Sequence, residues 1–283
     1  MNQSLNQLQV IAASSGPHVA INAETVFTIG GLPITNSMLL GLFGFLLCFG
    51  LLWHAASVIK RGGKRTFIVQ FIEWIYESLY STVKSIVGDE KMTRAIAPIP
   101  ITLFFFILIQ YYLGVLPIVG PIFYDGTLAF RSYLADLNTT FGLAIVTIVV
   151  SEIYAFKVHG ILGGIGRYLR NPLKDPIGAF EGILEIVAQM SRGIALSMRL
   201  FGNVFAGEVL LIMIAFLAQY VAAVALPAFY LFEFFIGAIQ AYLFFMLTTI
   251  FISLGLASHG PHDEAHDDAH SSPDTLTGAS DGR

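Results

Sequence analysis

Residues 176–217 read PIGAFEGILEIVAQMSRGIALSMRLFGNVFAGEVLLIMIAFL, and residues 226–257 read LPAFYLFEFFIGAIQAYLFFMLTTIFISLGLA. Each stretch is well over the about 20 apolar residues that cross a bilayer upright as a helix. Helices this long must tilt strongly or kink in a membrane. The gap between them, Gln219 to Pro227, holds no basic residue and suits the outer face. The pattern therefore predicts a long, strongly tilted helical hairpin over 175–257.

Working outward, residues 38–59 form a first apolar span that ends at the basic run Lys60 to Arg65. Residues 66–88 differ. Gln70, Glu73, Glu77, Ser81 and Lys84 recur at steps of three and four, and Phe67, Phe71, Trp74 and Leu79 fall largely elsewhere. That spacing predicts an amphipathic helix on the cytoplasmic surface. Residues 97–119 and 138–157 are two further spans. The expected architecture is all-α: about five membrane helices plus one surface helix. Eleven basic residues fall on one side of this topology, in Lys60 to Arg65, Lys84 to Arg94 and Lys157 to Lys174, against Arg131 alone on the other. Basic loops stay in the cytoplasm, so the N-terminus is expected outside and the C-terminus inside. Residues 1–36 make an outer-facing segment, 37–257 a membrane helical domain, and 258–283 a disordered acidic cytoplasmic tail containing histidines.

Composition agrees. The 283-residue chain is 55% hydrophobic but only 12% charged, where a soluble domain carries about a quarter. That excludes an ordinary soluble enzyme. The net charge of −4 excludes nucleic-acid binding through a basic surface. Cys48 is the single cysteine, so no internal disulfide or thiolate cluster is possible. No Gly-x-x-x-x-Gly-Lys-Ser/Thr phosphate loop occurs. No cofactor and no metal site are expected.

The polar residues inside the long pair are the informative exceptions, because a charge at mid-bilayer costs ~2.5–3.5 kcal/mol on insertion scales. Glu185, Arg192 and Arg199 are spaced by seven and lie on one slowly drifting helical stripe, joined by Gln189 and Asn203. Glu208 lies about half a turn out of phase with Arg199 and roughly 13 Å further along the axis. On the last helix Glu233 and Gln240 share a face. In an antiparallel hairpin turning near residue 220, Gln240 falls level with Arg199, and Glu208 level with Glu233. The two outer carboxylates suit a proton relay. Glu185, Gln189 and Ser191 lie toward the cytoplasmic end. A guanidinium between them stays charged and blocks leakage. The pattern reads as two half-pathways separated by a fixed positive charge, with the shuttling carboxylate on another subunit. For Glu181 and Arg192, a structural ion pair accounts for the residues equally well.

Leu196-Ser197-Met198-Arg199-Leu200-Phe201-Gly202-Asn203 followed by Ala206-Gly207-Glu208 closely resembles the signature of subunit a of F-type ATP synthases. Glu233…Gln240, Leu113 to Pro117 and Ala135-Asp136-Leu137-Asn138-Thr139-Thr140 resemble the same family, over roughly residues 37–257. The resemblance implies a stator against a ring of small proton-carrying membrane subunits (subunit c), a peripheral-stalk subunit b, and a catalytic ATP synthase head reached through these. It implies the essential Arg at Arg199, outer acids at Glu208 and Glu233, their polar companions at Asn203 and Gln240, and a cytoplasmic exit at Glu185. Asn138, with Asp136 beside it, falls near the outer mouth. The chain would be a non-catalytic subunit of a bacterial inner membrane, embedded in lipid. Three departures stand out. Glu occupies both outer acid positions where many members have one His, Tyr111-Tyr112 stands where members often have Asn-Leu, and Tyr133-Leu134 replaces a common Pro-Ser or Pro-Thr.

A Na⁺-translocating version of the same subunit fits these residues too. A secondary transporter would show internal repeats and broken helices in both halves. An intramembrane hydrolase would show a His-Glu-x-x-His pair or a buried Ser with a His. Neither pattern is evident.

Overall fold

The computed structural model describes residues 25–29, 31–62, 66–117, 123–124, 127–128, 130–168, 176–218 and 221–257. The expected first part of the outer segment (1–24), the basic stretches 63–65 and 169–175, the hairpin turn 219–220 and the acidic tail 258–283 lie outside the described residues.

Five helices are long and apolar enough to cross a membrane, spanning Asn36–Arg61, Glu90–Val115, Leu137–Lys157, Ala179–Ala218 and Ala222–Leu256. The helices are α1 (Asn36–Arg61), α2 (Phe67–Val87), α3 (Glu90–Ile96), α4 (Pro98–Val115), α5 (Leu137–Tyr168), α6 (Pro176–Ala218) and α7 (Ala222–Ala257); the second span runs through α3 and α4, and α2 is not among the five. The expected all-α polytopic fold is therefore the observed one. Short extended pieces add to it. Strands β1 (Thr25–Ile29) and β2 (Leu32–Thr35) form an antiparallel ribbon before α1, turning at Gly31 with φ +87°. Strands β3 (Phe123–Tyr124) and β4 (Thr127–Leu128) form a two-rung ribbon between α4 and α5. The β-branched run Thr25-Val26-Phe27-Thr28-Ile29 ahead of Gly30-Gly31 explains the first ribbon.

Local chemistry sets the helix ends. Thr35 caps α1 by accepting from the Met38 N–H at 3.4 Å. Gly62 closes it in the left-handed region (φ +62°), and Lys60 and Arg61 lie on its negative dipole end. Asp89 caps α3 through the Met92 N–H at 3.1 Å. Pro98 opens α4, where its missing N–H costs nothing. Pro227 lies inside α7, which begins at Ala222, ahead of the apolar stretch 226–257 read from the sequence. Its place near the helix start limits the backbone hydrogen bonds it disrupts.

The surface helix α2 carries its aromatic residues outward. Phe67, Phe71 and Trp74 stack in sequence and are exposed, with Val69, Leu79 and Val83 on the buried side. Its end is tied to α3, where Glu90 receives Lys84 at 2.8 Å and the Tyr80 hydroxyl at 3.2 Å. Such exposed pairs contribute little stability and mainly fix the turn.

The outward faces of α1, α6 and α7 are large and apolar. Phe43, Phe45, Phe49 and Trp53 line α1, Ile183, Val187 and Met190 line α6, and Leu231, Phe232 and Phe235 line α7. Water would not tolerate so much contiguous apolar surface; lipid does. Inside, packing relies on small residues that let backbones approach. Gly41 and Gly44 of α1 leave room for Tyr133 and Gln110, and Gln110 Nε2 donates to the Gly41 carbonyl at 2.8 Å. Helices α4 and α7 meet through Phe104 and Phe245, edge to face at 6.4 Å. Helix α5 joins α6 where Ser197 and Thr140 hydroxyls meet at 3.2 Å.

Candidate functional site: polar groups along α6 and α7

Helix α6 has 43 residues and α7 has 36, about 65 Å and 54 Å at 1.5 Å per residue. Asn203 Nδ2 of α6 donates to Gln240 Oε1 of α7 at 2.8 Å. Gly207, one turn on, packs against the Glu233 carboxylate. As α6 advances, its partner on α7 steps back, so the two helices run antiparallel. Gln240 thus pairs with Asn203, one turn from Arg199, rather than level with Arg199 as the sequence matching had it. Glu233 sits beside the residue preceding Glu208.

Glu208 and Glu233 are neighbours that take different partners. Glu208 Oε2 lies 3.7 Å from Arg131 Nε, and Arg131 is buried in the short segment before α5. Glu233 is only 2% exposed and accepts from the Tyr111 hydroxyl of α4 at 2.9 Å. No hydrogen bond joins the two carboxylates. Arg131 entered the sequence reading only as the lone basic residue of the outer side; its position opposite Glu208 depends on how the loop folds back. Tyr111 gave no periodic signal, because α4 is apolar on every face.

Asp136 and Asn138 lie at the start of α5. Asp136 accepts from Ser37 at 3.2 Å and from the Asn138 backbone N–H at 3.0 Å, and neither residue hydrogen-bonds to Glu208 or Glu233. Asp136 therefore ties α1 to α5 and caps α5.

Toward the other end of α6, a second polar cluster forms. Arg192 Nη2 donates to Glu185 Oε1 at 3.0 Å and also to Gln189 Oε1. Gln189 Nε2 donates to Glu152 Oε1 of α5 at 2.6 Å. The Arg192 guanidinium lies over the Phe251 ring of α7, 5.5 Å from its centre. The stripe of seven-residue steps is thus joined at Glu185 and Arg192. Glu152, an isolated carboxylate within the third span, is the residue the spacing missed. Its signal was its charge in an apolar helix.

Arg199 lies between the two clusters. It is exposed, and among the described residues it takes no hydrogen bond and no ion pair. Asn203, one turn away, is on the exposed side with it. Met198 and Ile194 of the same helix are also exposed. A guanidinium therefore stands on a predominantly apolar outer helix face, with one carboxylate cluster on either side along the axis.

A multi-pass helical protein with charged clusters staggered along two long helices belongs to the class of membrane ion-conducting subunits. The family described as "ATP synthase A chain" matches residues 38–253, and this chain belongs to that family. It is 32% identical to "ATP synthase subunit a" of Desulforamulus reducens over 195 residues, covering 67% of this chain and 68% of that one. It is 30% identical to "ATP synthase subunit a" of Acidothermus cellulolyticus over 243 residues (79% and 85%). It is 28% identical to "ATP synthase subunit a" of Legionella pneumophila over 238 residues (84% and 93%). The chain is a non-catalytic membrane channel subunit of the ATP synthase complex.

Proposed function

We propose that this chain forms two offset half-channels that load and unload protons on the carboxylates of a rotating ring of small membrane subunits. The carrying observation is the order of groups along α6: the Glu185–Arg192 cluster, then exposed Arg199, then Glu208 beside Glu233. Protons from the outer side reach Glu208 and Glu233 and pass to a ring carboxylate facing α6. Asn203 and Gln240 complete the polar edge of this channel, with Asp136 and Asn138 near its mouth. After the ring has turned, that carboxylate releases its proton on the Glu185 side. Arg199 keeps its charge at any working pH, so it attracts the ionised carboxylate and passes no proton itself. The same chemistry with Na⁺ is the alternative, because the ion site lies on the ring.

The proposed placement is the plasma membrane of a bacterium, N-terminus outside and C-terminus in the cytoplasm, with α6 and α7 strongly tilted against the ring. Proposed partners are the ring subunit c, a peripheral-stalk subunit b and, through them, the catalytic head. The tilt has a simple support: about 65 Å of helix must fit near a hydrocarbon layer of about 30 Å. One proton crossing 100 mV yields ~2.3 kcal/mol, too little to form ATP, so a ring that adds several transfers is required.

In reconstituted complexes, Glu208→Gln and Glu233→Gln should each slow ATP-driven proton pumping about tenfold, and the double variant more than either. Wild-type pumping in the double variant would remove both residues from the pathway.

A further inference from the structure

The Glu233 carboxylate is held in a slot built from three helices. Tyr111 of α4 is completely buried, and its hydroxyl donates to Glu233 Oε2 at 2.9 Å. Among the described residues, this phenol is the only hydrogen-bond partner of the Glu233 side chain. Two glycines shape the slot. A Cβ at Gly237, one turn beyond Glu233 on α7, would lie 2.9 Å from two atoms of the Tyr111 ring. A Cβ at Gly207 on α6 would lie 2.5 Å from the Glu233 carboxyl carbon and from Oε1. Gly237 thus admits the ring and Gly207 admits the carboxylate, and the two meet where neither helix carries a side chain. Arg131 reaches the adjacent Glu208 instead.

We infer that Tyr111 is a positioning residue for Glu233, its phenol fixing the carboxylate at the α6–α7 seam in the orientation used for ion transfer. This rests on the proposed role of Glu233 as an outer-channel acid. A buried carboxylate with one partner has several rotamers of similar energy unless that partner selects one. Both carboxylate oxygens lie over Gly207 of α6; Oε2 is engaged by the phenol, so Oε1 remains the oxygen for a proton to arrive at or leave from. Transfer along a relay is steeply sensitive to such placement.

The test uses the whole reconstituted complex. Tyr111→Phe keeps the ring in the Gly237 slot and removes only the hydroxyl. ATP-driven proton pumping should fall about tenfold, while assembly and ATP hydrolysis by the detached head stay normal. The infrared carboxyl band assigned to Glu233 by its loss in Glu233→Gln should move in Tyr111→Phe. In the Glu233→Gln background, Tyr111→Phe should cause no further loss. Gly237→Ala, which displaces the ring but keeps the hydroxyl, should move the same band. An unmoved band, or an equal further loss in the Glu233→Gln background, overturns the positioning role. Normal pumping by Glu233→Gln alone would instead overturn the channel role of Glu233 itself.

Discussion

Arg199→Ala should abolish ATP-driven proton pumping in reconstituted complexes and raise the passive proton leak of the membrane sector. The expectation follows from charge. A guanidinium about 4 Å from a carboxylate in a medium of effective dielectric about 20 attracts it by about 4 kcal/mol. That corresponds to about a thousandfold bias toward the ionised carboxylate. Arg199 stands exposed on the apolar face of α6, unpaired among the described residues, so its charge is available to a partner from outside the chain. Without it, a protonated carboxylate passes between the clusters without exchanging, and the two half-channels are short-circuited. Arg199→Lys should recover only part of the coupling, because a shorter, more strongly hydrated ammonium that shifts its pKa readily when buried replaces a permanently charged fork. Dye-monitored pumping and leak in the same vesicles measure both effects. Preserved coupling in Arg199→Ala would sink the half-channel mechanism.

Gly207→Leu should be nearly as severe for a different reason. The seam between α6 and α7 is closed by the Glu233 carboxylate lying on Gly207. A side chain there either separates the helices or expels Glu233 from the Tyr111 hydroxyl. Overpacking of this kind costs about 1–3 kcal/mol, and a misplaced relay group loses about a hundredfold in rate. Thermal denaturation of the complex should show the first effect, and proton pumping the second. Gly207→Ala should show both in reduced form. Gly50→Ala on the exposed side of α1, where a Cβ meets nothing within 4 Å, should show neither. Normal pumping by Gly207→Leu would mean that Glu233 need not occupy this seam.

The fold was legible because a bilayer imposes length and polarity on every span. The surface helix could be read from Gln70, Glu73 and Glu77 recurring on one face. The ribbon before α1 was not read, since a short pairing in a mixed segment has no lasting period. Helix α7 starts at Ala222, ahead of the apolar stretch read from 226, because Pro227 near a helix start disrupts few backbone hydrogen bonds. Among the site residues, Arg199, Glu208, Glu233 and Gln240 were visible as polar exceptions on known helical phases. Tyr111 was not, because an aromatic in an all-apolar helix looks the same whether it packs or donates a hydrogen bond.

By itself the sequence determined the membrane class, the spans and the relative phase of every charge along α6 and α7. Those follow from local quantities: hydropathy, and a fixed rise and turn per residue. Only the tertiary structure decided which partner each charge meets. Glu208 goes to Arg131, Glu233 to Tyr111, Asn203 to Gln240 and Arg192 to Glu185, Gln189 and the Phe251 ring. Most of these contacts join residues far apart in the chain, and the one between Glu233 and Tyr111 depends on Gly207 and Gly237, whose missing side chains leave room for the carboxylate and the ring. The period of one helix carries its own phase but holds no record of the face that a neighbouring helix turns toward it.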